Sequence, residues 1–428
     1  MSVVLNNSED LISPGPSSET AIKFARHIAQ SFGDVWEDDP DLMTRFFPVT
    51  EHVRHTFSKM QSRRSKPYLD DHWVGIKSNP TKLSQLYTPL NNLINNIIRA
   101  FDLEADEDGN RRRCINTSRS KVFPQPFPIL WPSLLLAGSG KHFVNSPASR
   151  PLGDYSLAIS PVEVWIEDNT NQDAEKKAVE DSQNKLTTYV RDIFANQFNR
   201  RFVFGIVLSQ KTVSICLFDR SGILRSSPLE YHKYPERFCA LVAGLTSLNP
   251  TEIGLDATMF VDALEQGYIR TTEIMGRSKL KHTNYILKRR LHFSSFPVGR
   301  GTMCFAAKDP TDKAITYVIK DSWMDIDLDG KESEASLLAH AKACGVTTGI
   351  PSFRHFEEIR VKDSWQTWRA DRILFNRRLP PKLSATNDRL HTRTVMTPFG
   401  KPLLEFASRQ EFLIAYRDAF KGMYWPYT

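Results

Sequence analysis

The sequence predicts an α+β chain: a helical N-terminal segment, then an α/β domain, then an antiparallel sheet carrying one helix. Three observations predict it. Apolar residues recur at helical spacing through Ala21–Phe32 and Leu83–Phe101. From about Cys114 strand-like and helix-like stretches alternate, the texture of an α/β domain. From Phe293 the pattern becomes short alternating runs punctuated by glycines and turn residues, which reads as antiparallel strands.

Residues 1–18 are rich in Ser and Pro and are expected to be disordered. Residues 19–113 form the helical region. Ile22, Ala25, Ile28 and Ala29 share one face of its first helix; Leu86, Leu90, Leu93, Ile97 and Ile98 form the stripe of the second. Both stripes are expected to be core. Acidic Glu104–Asp108 followed by Arg111, Arg112 and Arg113 reads as an exposed, solvated loop. The α/β domain is expected over 114–270. Ser156–Ile166 is a strand, and Asp173–Gln197 is a long helix with Val179, Leu186, Val190 and Ile193 in line. Arg201–Leu208 and Thr212–Asp219 form a strand pair, Ser221-Gly222 turns the chain, and Phe238–Leu245 is a short apolar helix. Residues 271–290, with Lys279, Lys281, Lys288, Arg289 and Arg290, read as a basic linker able to steer acidic partners.

One constellation in the α/β domain could carry chemistry. Asp154 precedes a strand bearing Glu163-Val164-Trp165, and the next helix holds Gln183 and Tyr189. Restriction-endonuclease-like folds use an Asp and a Glu-x-Lys to hold a divalent metal and activate water. Here Trp165 stands at the lysine position, so the base or electrostatic stabiliser is missing. A degenerate scaffold of that shape, or an unrelated α/β domain, is expected, with no metal site assigned.

The most informative stretch is Phe293–Asp321, which opens the last region, 291–428. Met303, Phe305 and Ala307 take one face of a strand and Cys304, Ala306 and Lys308 the other; Ile315, Tyr317 and Ile319 oppose Thr316, Val318 and Lys320. Asp309-Pro310-Thr311-Asp312 is turn chemistry. Gly299 and Gly301 let the backbone approach a ligand, with N–H groups able to face phosphate oxygens. Lys320 offers a point charge from a strand. Laid on Gly299, the loop pattern G-x-G-x-x-G-x-V finds Cys304 at the third glycine and Ala306 at the valine, a partial match. Lys331–Cys344 reads as a helix closed by Gly345 in a left-handed cap. Leu337, Leu338, Ala341 and Cys344 form its expected inner face. Glu334 shares that face and needs a partner such as Lys320. Glu332, on the face of Ala335, Ser336 and Ala339, fits less well.

These words together resemble the fungal-type protein kinase family. The resemblance runs from Gly299 to Asp418. It is carried by Gly-Arg-Gly-Thr (299–302), Val-Ile-Lys-Asp-Ser-Trp (318–323), Glu-Ala-Ser-Leu-Leu (334–338), Gly345-Val346, Pro-Phe-Gly-Lys-Pro-Leu (398–403) and Phe406–Asp418. Gln197–Gly205, Phe218–Gly222 and Gly254-Leu255-Asp256 are similar to the N-terminal region of the same family. The resemblance implies a protein-kinase-like small lobe (antiparallel sheet plus helix C) and the start of a large lobe. It implies ATP binding and phosphoryl transfer to Ser or Thr. Gly299, Arg300, Gly301 and Thr302 would cover the phosphates and Ala306 would stand at the valine position. Lys320 would hold the α- and β-phosphates and Glu334 would hold Lys320. Phe353–Phe375 would contain a strand pair and Arg393–Met396 a strand entering a hinge, Thr397-Pro398-Phe399-Gly400. The hinge backbone, at Thr397 and Phe399, would contact the adenine. Leu403–Phe406 and Glu411–Phe420 would be the first helices of the large lobe.

A protein kinase also needs a His-Arg-Asp loop with its Asn and an Asp-Phe-Gly metal site. Neither triplet occurs in residues 1–428. Tyr416-Arg417-Asp418 comes only ~20 residues after the hinge, too soon for a catalytic loop, and its fifth following residue is Met423. The polypeptide is therefore expected to be truncated and inactive in transfer, with Mg²⁺ expected only where the missing lobe is present. A shortened gene model, a mis-assigned intron and a genuine fragment all fit this pattern. An uncovered apolar patch is expected near Leu403, Phe406 and Phe412. Two other classes compete: a non-catalytic scaffold or binding module, and a nucleic-acid-acting protein working through residues 114–270.

Composition sets the outer bounds. The 428 residues are 40% hydrophobic, enough for sizeable cores, and 56 basic against 49 acidic residues leave a mild +7. That balance permits nucleic acid as a partner without demanding it; ATP and an unidentified protein substrate are the partners expected. Five cysteines without C-x-x-C spacing argue for a reducing compartment, cytoplasm or nucleus, and against a disulfide framework or zinc site. The first residues lack a signal-peptide pattern. The most apolar window, Phe127–Gly138, is short and holds Pro128 and Pro132, so no membrane partner is expected.

Overall fold

The computed structural model describes residues 18–30, 32, 35–118, 131–144, 154–167, 172–275, 279–294, 296–312, 314–326, 332–346, 349–362, 368–378, 388–401 and 405–424. The disorder expected over the first eighteen residues falls on 1–17, outside the described residues; Ser18 already begins a helix.

Two large sheets organise the chain. The first has eight strands among the described residues. Its main path holds β1 (Val35–Asp39), β2 (Arg111–Asn116), β3 (Leu134–Ser139), β4 (Ala158–Val164), β5 (Val203–Leu208), β6 (Thr212–Asp219) and β7 (Gly222–Ser226). Their spatial order is β1-β7-β6-β5-β4-β3-β2, and Leu229–Glu230 pairs with β6. The pairings β1 with β7 and β4 with β5 are parallel. The main helices on this sheet are α1 (Ser18–Gln30), α2 (Ser84–Ala100), α3 (Gln172–Asn196) and α4 (Pro235–Leu245). Parallel neighbours need a long crossover, and α3 supplies it between β4 and β5.

Every residue of β4 and β5 is buried, as strands covered on both faces require. On one face Leu86, Leu90 and Ile97 of α2 and Phe238 and Leu245 of α4 pack with Leu134, Phe204 and Ile206. On the other, Leu186, Tyr189, Val190 and Ile193 of α3 pack with Val203, Val207 and Phe218. The helical region expected over 19–113 therefore shares a core with the α/β domain. The arginine triplet is also not a loop. It opens β2, and Arg112 is buried with its guanidinium on the carbonyls of Arg111, Ser139, Ser247 and Leu248. Strand alternation turns the middle arginine inward, where backbone acceptors satisfy it.

The second sheet holds β8 (Met259–Val261), β9 (Gly267–Met275), β10 (Lys279–Phe293), β11 (Met303–Lys308), β12 (Thr316–Asp325), β13 (Ser352–Glu358) and β14 (Arg389–Thr397). It is antiparallel throughout, in the order β8-β9-β10-β11-β12-β14-β13. The expected basic linker is a hairpin: β9 and β10 pair from Tyr268↔Ile286 to Met275↔Lys279. Lys281, Lys288, Arg289 and Arg290 are exposed while Tyr285 is buried. Cations left to solvent do not prevent a strand. Between Phe353 and Phe375 the chain forms β13 and a separate ribbon, Arg360–Lys362 with Trp368–Ala370. Helix α5 (Glu334–Ala343) packs on β13, and α6 (Arg409–Tyr424) follows β14. Phe406, Leu413, Ile414, Tyr416 and Phe420 are exposed, close to the apolar patch expected; Leu403 lies outside the described residues. Among the described residues no helix is long and apolar enough to cross a membrane.

Candidate functional site

Strand β12 separates two environments by its alternation. Tyr317, Ile319, Asp321 and Trp323 are buried, while Val318 and Lys320 are half-buried on the opposite face. Lys320 Nζ lies 2.6 Å from Glu334 Oε2. Glu334 is placed by the start of α5: the Ser333 side chain caps the helix by accepting the Ser336 N–H. An acid in the first turn also suits the helix dipole. The helix stops at Gly345, φ +81°, where the Gly345 N–H bonds Lys342 and the Val346 N–H bonds Ala341. Cys304 stands opposite Lys320 across the β11–β12 pair. Burial holds its thiol above the usual range, and the Lys320 cation opposes that rise.

The inner face of α5 differs from expectation. Ala335 is its buried residue, Leu337 is 56% exposed, and Cys344 is exposed. Apolar residues occur on every side of this helix, so the sequence singles out no face. The Glu334 carboxylate is itself 40% exposed. It meets Lys320 on a partly open face of the sheet rather than in a closed interior.

The turn between β10 and β11 is built from both parts of the molecule. The Ser294 N–H bonds the Thr302 carbonyl, and the Trp323 N–H bonds that of Arg300. Gly299 and Gly301 have φ of +102° and +48°, which favours glycine at both. At Gly299 a side chain would meet open space, whereas at Gly301 a Cβ would lie 2.6 Å from Cζ of Arg220. The Gly299 N–H, expected to face phosphate, donates to the Arg220 carbonyl at 2.8 Å. Arg300 is exposed, Thr302 half-buried and Ala306 buried opposite Val318. Thr397 ends β14 opposite Ser352, and Arg289 lies over the Phe399 ring at 5.9 Å. Arg289, Arg290, Leu291, Phe399 and Lys401 line a cavity of about 400 Å³ at that end of the sheet.

Behind Lys320 runs a buried charge network absent from the sequence reading. Arg393 of β14 donates to Asp321 at 2.7 and 2.8 Å, to Asp256 at 3.0 Å and to Thr258 at 2.9 Å. His391 Nδ1 is 2.9 Å from Asp371, its Nε2 3.6 Å from Asp321, and its ring stacks on Trp323. Asp371 in turn accepts from Arg201 at 2.6 and 2.8 Å, and Asp219 from Arg377 at 2.7 and 2.9 Å. Burial alone would raise the pKa of Asp321 and Asp371; Arg393 and Arg201 respectively reverse this and hold both well below the usual range. Burial alone would lower that of His391, but Asp321 and Asp371 push it up to about 9. Asp256, Asp321 and His391 converge closely enough to be metal ligands, yet the Arg393 guanidinium already supplies the positive charge among them.

In the first sheet the two carboxylates of the constellation are held differently. Glu163 is buried against Lys185 Nζ at 2.7 Å and Tyr189 Oη at 3.2 Å, so α3 provides the cation that Trp165 does not. Burial raises its pKa, with Lys185 opposing. Asp154 instead caps the short turn before β4 by accepting the Ser156 N–H. Asp154 lies before the 3-10 turn that leads into β4, while Glu163 sits near the far end of that strand. Gln183 bonds Arg225.

The sequence model of a family described as "Fungal protein kinase" matches residues 153–424, which take in β4 to β7 of the first sheet and all of the second. No curated protein and no solved structure matches the chain.

Proposed function

The chain belongs to the fungal protein kinase family, and on that premise we propose that the second sheet with α5 is a kinase-like small lobe whose open face takes ATP. The observation that carries this reading is the contact between Lys320 and Glu334. In protein kinases a strand lysine grips the α- and β-phosphates and is held by a glutamate of the following helix. Here the amine is held on a strand, and it remains partly accessible, with 21% of the side chain exposed. A polyanion on this face would find that cation fixed in advance and open space beside Gly299.

Under this reading Lys320 holds the phosphates and Glu334 orients Lys320. The turn Gly299–Thr302 covers the phosphates, and Ala306 with the backbone of Thr397 and Phe399 borders the adenine. Bound ATP would supply the phosphoryl group that the family transfers to Ser or Thr. Residues 1–428 hold neither a His-Arg-Asp nor an Asp-Phe-Gly triplet, so the function proposed for them is nucleotide binding.

Thermal unfolding with and without nucleotide tests this. Mg²⁺·ATP at a hundred times its Kd should stabilise the chain by about 2.7 kcal/mol, and Lys320→Met should abolish that gain while leaving the nucleotide-free Tm in place. A wild-type chain whose Tm ignores ATP would reject the nucleotide reading in favour of a scaffold.

A further inference from the structure

The firmest hold on the glycine turn comes from the first sheet. Arg220 and Ser221 form the two-residue turn between β6 and β7, closed by the Asp219↔Gly222 pair. Arg220 is 1% exposed. Its Nη1 donates to the carbonyls of Phe296 at 3.2 Å and Pro297 at 3.0 Å, and its own carbonyl accepts the Gly299 N–H. Its Cζ sits 4.5 Å from the ring centroid of Phe194, and Val298 packs into the same core as Phe194 and Phe218. Gly301 presses against this guanidinium so closely that no Cβ fits.

This arginine is poorly placed if stability were its only role. The adjacent Asp219 is paired bidentately with Arg377, so the acceptors of Arg220 are neutral carbonyls, and its buried Nε has no hydrogen-bond partner among the described residues. A buried guanidinium without a bonded carboxylate is costly. What the arrangement secures is the course of residues 296–301. Three hydrogen bonds, one apolar anchor and one steric stop fix that segment to a rigid sheet, while β11 and β12 fix Lys320.

We propose that Arg220 is a positioning residue for the triphosphate: through it the α/β domain sets the glycine turn relative to Lys320. The proposal rests on the nucleotide reading above. It also assigns Gly301 a different reason from the one its sequence suggests, since the close approach it permits is to Arg220 rather than to a ligand.

Calorimetric titration of the whole chain with Mg²⁺·ATP and, separately, with adenosine tests it. Arg220→Gln should weaken ATP binding by about tenfold or more through lost preorganisation, and should leave adenosine affinity nearly unchanged. Arg220→Lys, which keeps a cation within reach of the two carbonyls, should recover most of the loss. Gly301→Ala pushes on the same contact from the turn and should reproduce the ATP-selective loss, so the test survives if Arg220→Gln does not fold. Unchanged ATP affinity in folded variants would overturn the positioning role and leave the Lys320 reading standing. Equal losses for ATP and adenosine would reduce Arg220 to a general structural part, and tighter ATP binding would make it a restraint on the turn; either overturns the proposal. A wild-type chain that binds no ATP would end both readings together.

Discussion

Lys320 and Asp321 are consecutive residues of β12, and each meets an opposite charge, yet the two pairs are built for different ends. Asp321 points into the molecule, where Arg393 and His391 surround it and Asp256 lies close by. Lys320 points to the partly open face, where the Glu334 carboxylate, itself 40% exposed, meets it. A one-residue step along a strand reverses the face, so the chain places a permanent charge network and an accessible cation within one dipeptide. Permanence follows from desolvation. A buried pair that loses one member leaves an uncompensated charge, whereas an exposed pair is resolvated by water. An exposed pair is also the one whose cation can turn toward a ligand.

Arg393→Met is the strongest way to break this contrast. It leaves Asp321 and Asp256 buried without their shared cation, and breaking such a pair from one side costs about 3–5 kcal/mol. Urea unfolding should show that loss, with the midpoint falling far more than for any substitution at Lys320. Equal midpoints for the two substitutions would mean that the network is not the clamp its geometry describes.

Next in size is a pH dependence. The folded pKa of His391 is about 9, above the ordinary 6.5, so its contribution is fully present below pH 6.5 and is lost as pH rises toward 9. A gap of that size corresponds to at most about 3 kcal/mol. Asp321 and Asp371 are shifted the other way, so their contribution is present above the ordinary carboxylate range and is lost only in strong acid. Stability should thus hold between about pH 5 and 6.5 and decline on the alkaline side. His391→Gln should flatten that decline, with Arg393 and Arg201 still facing the same acids. An alkaline slope that persists in His391→Gln would place its origin elsewhere.

The sequence made one of these environments legible and left the other half-read. Alternation in 303–308 and 315–320 gave the two faces of β11 and β12, and the acid at the head of α5 pointed to Lys320 as its partner. The row Tyr317, Ile319, Asp321, Trp323 carries an equally clear signal, an acid in a buried row. Its partner, Arg393, lies 72 residues further on, and no local pattern names it. Arg220 is harder still, because a turn arginine looks solvated until the second sheet covers it. The basic run of 271–290 misled for the opposite reason. Charge density suggested a linker, while the alternation around Tyr285 was that of a strand. Helix α5 misled because its alanines and leucines spread over all sides.

The smallest expected effect bears most directly on the exposed pair. Lys320→Met should change folding stability by less than about 1 kcal/mol, since the pair is partly exposed and screened. Cys304 provides a reporter that needs no nucleotide. Its thiol is raised by burial and by Glu334, and is lowered by Lys320. Lys320→Met should therefore raise it further and slow its alkylation at fixed alkaline pH, because the thiolate is the reactive form. Glu334→Gln should have the opposite sign and speed the reaction. Peptide mapping separates Cys304 from the exposed Cys344. If both substitutions shift the rate in the same direction, access rather than charge controls the thiol, and the amine and carboxylate are not held across that strand pair in solution.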